Sequence, residues 1–253
     1  ENETPSNRHA PYTNEHLESQ LKAAQVLTAM GYEQLSPDDA LQMRGGSHNN
    51  VLLETILEEQ LNAINSYESY GQVYSFDRST IKEAVQALKK VYDSNPVTDN
   101  HEIYDLLTLG KALPVTITRD DNSKRLSYTL NYIDWEHLEN NRFQFVCEYK
   151  VEKQREGVDT QSFEDRPIED EAFETAQESP ADPKHAIPDI VLFVNGIPLG
   201  VIECKHSSVH IDNAISQMIR NQSADYIPQL FRYTRILLAV NRTQAQYATA
   251  GTS

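Results

Sequence analysis

The clearest hydrophobic pattern in the chain is a pair of apolar, β-branched runs at 190–194 and 197–202. Asn195 and Gly196 separate the two runs, and both residue types tolerate a positive φ. Apolar runs joined by an Asn-Gly step are the strongest short-range signal for a β-hairpin. The pattern therefore predicts two buried strands connected by a tight turn.

Charged residues stand at the end of this hairpin that lies away from the turn. Asp189 precedes the first strand, and Glu203 and Lys205 end the second. Because alternate residues of a strand share a face, Glu203 and Lys205 should point one way and Ile202 and Cys204 the other. Charged groups are rare in buried strands unless they are paired or functional.

The pairing register decides whether the three charges meet. A simple two-residue loop would place Asp189 opposite Ile202, whereas a shift of one residue places it opposite Glu203. Pro198 cannot donate a ladder hydrogen bond and suits a bulge or an edge. We therefore expect a bulge or a longer loop near 196–200 that brings the charges together.

Two carboxylates and a lysine on one face favour a hard divalent cation. Mg²⁺ binds one or two carboxylates and keeps several waters, and the backbone carbonyl of Cys204 is a candidate further ligand. The cation lowers the pKa of a bound water and neutralises charge on a phosphate, while Lys205 orients or activates that water. The alternative is a surface salt bridge at a strand end.

Helical and strand periodicities predict the rest of the chain as an α/β arrangement. Helices are expected at 15–30, ending at Gly31, and at 47–65, 78–92 and 101–109. A hairpin is expected from strands at 115–118 and 127–132, followed by a strand at 143–151. Beyond the central hairpin, a helix at 212–221 leads to a strand within 230–240, which predicts an α/β crossover.

Composition and charge exclude some functions and qualify others. No run of 18 apolar residues occurs, so we expect no membrane span, and the two cysteines are expected as free thiols of a cytoplasmic protein.

The formal net charge of −16 opposes DNA binding, but from Lys184 onward six Lys and Arg accompany four Asp and Glu. Arg220 and Arg232 belong to this set and are either DNA contacts or ordinary surface charge. The acidic stretch 154–183 is predicted to be a flexible loop.

The motif Pro-Asp…Glu-Cys-Lys resembles the PD-(D/E)xK nuclease signature. The run PDIVLFVNGIPLGVIECK, with AISQMIRNQ and YIPQLF downstream, resembles the N-terminal nuclease domain of the R (restriction) subunit of type I restriction–modification enzymes. The likeness is close over 188–241. It implies a restriction-endonuclease-like mixed β-sheet flanked by helices, with an additional helical N-terminal region. It also implies a single nuclease domain over 1–253, with a helical subregion at 33–110.

The resemblance implies a Mg²⁺-dependent endonuclease, part of a type I site-specific deoxyribonuclease that cuts double-stranded DNA with methyltransferase (M) and specificity (S) subunits. Asp189 and Glu203 would bind the metal and Lys205 would serve catalysis. ATP would act only through a translocating motor outside this chain, which has no G-x-x-x-x-G-K-[ST] loop. A non-cutting DNA-positioning or assembly module with a retained nuclease fold is the alternative.

The family also suggests two accessory residues. A helix-borne glutamate near the metal would be Glu18, which otherwise is a solvated helix charge. Gln217 lies twelve residues past Lys205, where related R subunits begin a catalytic Gln-x-x-x-Tyr motif. The fourth residue on is Asn221 here, and a shifted reading through Gln222 and Tyr226 also exists.

Overall fold

A computed structural model describes residues 11–90, 96–119, 122–154, 184–205, 210–241 and 243–250. Within these residues the fold is α/β, with a six-stranded mixed sheet and helices packed on it, as predicted. The predicted acidic loop lies almost wholly outside the described residues. None of the described helices is both long and apolar enough to cross a membrane.

Seven α-helices form in the described part of the chain. They are α1 (Pro11–Ala29), α2 (Pro37–Met43), α3 (Glu54–Ile64), α4 (Arg78–Lys90), α5 (Pro96–Leu109), α6 (Ile211–Asn221) and α7 (Pro228–Phe231). The strands are β1 (Glu33–Leu35), β2 (Tyr67–Ser69), β3 (Gln72–Tyr74), β4 (Lys111–Arg119), β5 (Asn122–Leu130), β6 (Phe143–Cys147), β7 (Val151–Glu152), β8 (His185–Ala186), β9 (Ile190–Val194), β10 (Ile197–Cys204), β11 (Ile236–Val240) and β12 (Ala245–Ala248).

The six-stranded sheet has the order β1-β6-β9-β10-β11-β12. β6, β9 and β10 are antiparallel neighbours, whereas β11 runs parallel to β10 after the chain has crossed through α6. The predicted crossover from the hairpin through a helix to a parallel strand is therefore confirmed. It leaves the end of β10, where the charged residues stand, in the interior of the sheet.

The β9–β10 hairpin contains the predicted irregularity. Ile197 pairs with Val194 beside the turn, and after a register shift between Pro198 and Gly200 the pairing continues to Ile202 with Ile190. Residue Leu199 is the extra residue of the bulge, which the ladder leaves without a partner on β9. The shifted register, continued by one step, sets Asp189 opposite Glu203.

The Asn-Gly turn is fixed by the rest of the fold. Asn195 and Gly196 both have positive φ, at 52° and 81°. The carbonyl of Gly196 accepts a hydrogen bond from the N–H of Leu53 at 2.9 Å, and a Cβ on Gly196 would lie 2.6 Å from the Leu53 carbonyl oxygen. Only glycine fits this position, because both the backbone conformation and the close approach exclude a side chain.

The structure departs from the predicted boundaries at several elements, and the following bear on the main sheet. The helix expected at 47–65 begins only at Glu54, since Val51, Leu52 and Leu53 form a buried, non-helical segment under the hairpin turn. The expected strand at 143–151 breaks at Glu148, whose φ is +55°. The pattern missed α2 and the short strand β1, and β1 joins the main sheet beside β6. The boundaries of the 33–110 subregion stay a prediction.

Candidate active site at the end of the hairpin

Asp189 is held at the start of β9 by hydrogen bonds from three other parts of the chain. Its backbone carbonyl accepts hydrogen bonds from the N–H of Glu148 at 2.8 Å and from Nε2 of Gln20 on α1 at 2.9 Å. Its carboxylate Oδ2 accepts the N–H of Cys204 at 2.6 Å. The side chain is therefore aimed across the hairpin at the end of β10.

Glu203 is fully buried, with no solvent-exposed area, on the face of β10 that α6 covers. Its Oε2 accepts a hydrogen bond from Nε2 of Gln217 at 3.0 Å. The other side of the same amide, Oε1 of Gln217, accepts a hydrogen bond from Nζ of Lys205 at 2.6 Å. Gln217 thus links the buried carboxylate to the ammonium group and sets the spacing between them.

The environment of Glu203 disfavours its charged form. Burial raises the pKa of this carboxyl well above its usual value, and the negative charge of Asp189 beside it raises it further. The positive charges of Lys205 and Arg220 act in the opposite direction without cancelling the rise. The two carboxylates therefore occupy one site, as the bulged register predicted.

One oxygen of this site lacks a protein donor. Oε1 of Glu203 is buried and accepts no N–H or O–H from the described residues, although a proton on Glu203 would allow a hydrogen bond to the Asp189 carboxylate. A buried carboxylate oxygen without a partner is costly, so it calls for a bound cation, a water or a proton. Two carboxylates, one of them with an oxygen that accepts no protein hydrogen bond, are donors that fit Mg²⁺.

Few protein side chains at this site could bind a metal ion. No group of three or more His, Cys, Asp or Glu side chains is assembled within the described ranges. A cation here would rest on Asp189 and Glu203, with waters or a backbone oxygen completing its shell, which is the manner in which Mg²⁺ is held in proteins. The carbonyl of Cys204 stays a predicted ligand.

The two faces of β10 separate this site from an apolar layer. Ile202 and Cys204 point away from Glu203 and pack with Ala24 and Leu27 of α1 in a small core cluster. The predicted alternation of the strand is confirmed by this packing. Cys147 and Cys204 are both free thiols, and burial raises the pKa of each.

Sequence reasoning missed Gln20. Its side-chain amide donates a hydrogen bond to the carbonyl of Asp189, which lies 169 residues later in the chain. No local sequence pattern predicts a contact between residues so far apart. The helix that carries it was predicted, but the notable residue on it was expected to be Glu18. Glu18 lies in α1, and its side chain falls outside the described residues.

The two arginines that were expected to contact DNA differ in their exposure to solvent. Arg220 is exposed in the last turn of α6, three residues after Gln217. Arg232 is only 8% exposed and its Nε is buried, so little of this side chain is open to a phosphate, and its contact with DNA stays a prediction. Gln222 bonds the carbonyl of Met218, so the residue within the site is Gln217 and not Gln222.

Comparison with known proteins places this chain in a family. The family model described as the N terminus of type I restriction enzyme R proteins matches residues 12–253. The chain belongs to this family. The predicted resemblance is thereby confirmed, and it covers nearly the whole chain.

Curated relatives carry names consistent with this R-protein family. A putative type I restriction enzyme endonuclease subunit of Methanocaldococcus jannaschii is 26% identical over 198 residues, which is 77% of this chain and 15% of the relative. A type I restriction enzyme endonuclease subunit of Staphylococcus saprophyticus is 27% identical over 211 residues, 77% of this chain and 19% of the relative. The chain spans less than a fifth of the length of these relatives.

Proposed function

We propose that this chain is the Mg²⁺-dependent nuclease domain of a type I restriction enzyme and hydrolyses DNA phosphodiester bonds. The observation that carries the proposal is the buried Glu203 carboxyl beside Asp189, joined to Lys205 through Gln217. An apolar residue would be favoured here if the site served only folding. Membership of the R-protein family and the endonuclease names of the relatives support the same reaction.

The chain's own residues have separate tasks in this reaction. Asp189 and Glu203 bind the divalent cation, and Lys205, fixed by Gln217, orients the attacking water and stabilises negative charge at the phosphate. Mg²⁺, when bound, supplies charge neutralisation and a more acidic water. The hydrogen bonds from Gln20, Glu148 and Cys204 keep Asp189 in place.

The whole enzyme is proposed to act on double-stranded DNA with M and S subunits in the cytoplasm. ATP would be used by a motor region that lies in the remaining length of the R subunit. The alternative, a non-cutting assembly module, predicts the same family match but no dependence of cutting on Asp189 or Lys205.

The test is plasmid cleavage by the full-length subunit assembled with its M and S partners, in the presence of Mg²⁺ and ATP. Asp189→Ala and Lys205→Ala should each reduce the cleavage rate by at least about 1000-fold, since each removes a group that stabilises the transition state. Glu68→Gln, an exposed carboxylate on β2, is the matched control and should cut normally. Unchanged cutting by both site variants would overturn the proposal.

A further inference from the structure

The chain bends sharply at Glu148, the residue that follows β6. Its φ is +55°, in the left-handed region that glycine adopts freely and other residues adopt at a cost. The bend moves the chain across the sheet, because Cys147 packs on the α1 side whereas Tyr149 belongs to the main core on the other side. In a regular strand, residues 147 and 149 would share a face.

Folding does not explain why this position is a glutamate. A glycine would make the same bend with less strain. The Glu148 side chain is exposed, and its carboxylate takes part in no hydrogen bond or ion pair with the described residues. Strained backbone conformations of this kind concentrate at functional sites, where the side chain has a use outside folding. The Glu148 carboxylate is therefore a candidate functional group.

The bend sets Glu148 beside Asp189. The β6–β9 ladder ends with Cys147 opposite Ile190, and the next step is the N–H of Glu148, which donates to the carbonyl of Asp189 at 2.8 Å. On the other side of β9, the ladder with β10 continues to Asp189 opposite Glu203. Glu148, Asp189 and Glu203, called the carboxylate row below, therefore lie side by side on three neighbouring strands.

Negative charge is concentrated along the carboxylate row. Burial, and then the charges of Glu148 and Asp189, raise the pKa of the Cys147 thiol, which indicates that both carboxylates lie near the end of β6. At the inner end of the row, Glu203 is fully buried and its Oε1 accepts no N–H or O–H from the described residues. Like charges side by side on neighbouring strands cost free energy, so the row favours a bound cation.

Glu148 is not placed to be a third direct ligand of such a cation. No group of three or more His, Cys, Asp or Glu side chains is assembled around one point within the described ranges. A Mg²⁺ ion bound by two carboxylates keeps several waters, and those waters need hydrogen-bond acceptors. Side chains that act on a metal from beyond its direct ligands typically contribute about 10- to 100-fold to its affinity.

We propose that Glu148 is a positioning residue whose carboxylate accepts a hydrogen bond from a water of the divalent cation held by Asp189 and Glu203. The inference rests on the proposed function and deepens it by naming a group that holds the water shell of the cation. The carboxylate orients that water and adds a negative charge that favours cation binding. The strained backbone at Glu148 is retained because it directs this carboxylate to the exposed end of the row.

The test is a calorimetric titration of Mn²⁺ into the full-length R subunit without DNA or ATP. The binding component that is lost in Asp189→Ala defines the site. Glu148→Gln should raise the Kd of this component about tenfold, with an unchanged melting temperature of the metal-free protein. Glu148→Asp keeps the negative charge and should bind Mn²⁺ more tightly than Glu148→Gln.

Two further variants separate the carboxylate from the backbone. Glu148→Gly removes both the carboxylate and the strain, so it should bind Mn²⁺ as weakly as Glu148→Gln while the metal-free protein melts no lower than wild type. Glu152→Gln is the matched control, because it removes an exposed carboxylate from β7, four residues further along the chain. Its affinity for Mn²⁺ should equal that of wild type.

Wild-type affinity in Glu148→Gln or in Glu148→Gly would overturn the inference. An equal loss of affinity in Glu152→Gln would also overturn it, because the effect would then be one of general charge. Asp189→Ala identifies the level of failure. If it binds Mn²⁺ as wild type does, the cation site of the proposed function fails; if it loses the site while the Glu148 variants bind normally, only the role of Glu148 fails.

Discussion

The two faces of β10 are equally buried and chemically opposite. On one face Cys204 is fully buried and packs with Ala24 and Leu27 of α1. On the other face Glu203 is just as buried, but it lies among Gln217, Lys205 and Asp189. The first face gains free energy from removing apolar surface from water, whereas the second loses free energy by desolvating a carboxylate.

This difference shows that burial serves two purposes within one strand. The apolar face stabilises the hairpin and fixes its register, and the register in turn brings the carboxylates together on the other face. Because a shift by one residue would exchange the two faces, the apolar packing determines where the candidate site forms. Substitutions on the two faces should therefore separate stability from function.

The largest effect is expected from Glu203→Gln, which removes a proposed metal ligand while keeping the shape of the side chain. Mg²⁺-dependent plasmid cleavage by the assembled enzyme should fall at least about 1000-fold. The metal-free protein should melt at an equal or higher temperature, since a neutral amide is cheaper to bury than a carboxylate. A substantially lower melting temperature together with retained cleavage would show that the Glu203 face serves stability and not function, and would contradict this account.

A smaller effect, on stability alone, is expected from Leu27→Ala on the apolar face. Leu27 is 6% exposed, so the free energy of unfolding measured with urea should fall by about 2–5 kcal/mol. Leu21→Ala on the same helix is the matched control, because Leu21 is 61% exposed and should change stability by less than about 0.5 kcal/mol. Mg²⁺ affinity of the folded Leu27→Ala protein should remain that of wild type; a large loss would show that α1 contributes directly to cation binding.

The smallest effect concerns the dependence of stability on pH in the absence of metal. Burial, and then the charge of Asp189, raise the pKa of Glu203 in the folded state above its unfolded value. The folded state thus binds more protons between these two pKa values, and the free energy of unfolding should decrease as pH rises through that window. The Glu203→Gln protein should lack this decrease, while Glu68→Gln should retain it. Parallel profiles for wild type and Glu203→Gln would contradict the described burial.

The hairpin and its bulge could be predicted because their causes are local. Asn195 and Gly196 tolerate positive φ, and Pro198 disfavours an uninterrupted ladder, so the sequence around the turn contains the information needed. The grouping of Asp189 with Glu203 follows from that register. Gln217 was found only through its family spacing.

Other parts of the fold depend on contacts between distant segments. The 47–65 periodicity continues through Leu52 and Leu53, but the hairpin turn binds the Leu53 N–H and prevents the helix from starting before Glu54. Arg232 carries the charge expected of a surface residue, yet it is buried. Gln20 becomes part of the site only when α1 packs beside Asp189. The hydrophobic periodicity of the sequence does not predict contacts between segments that are far apart in the chain.

The central claim, that Asp189 and Glu203 share one divalent cation, is tested most directly by a crystal structure of this chain with Mn²⁺. The account predicts an anomalous peak within about 2.2 Å of a carboxylate oxygen of both residues, the separation expected for an oxygen-bound cation of this size. It also predicts that the peak disappears in the Glu203→Gln protein. A structure in which Mn²⁺ binds elsewhere, or contacts only one of the two carboxylates, would contradict the account.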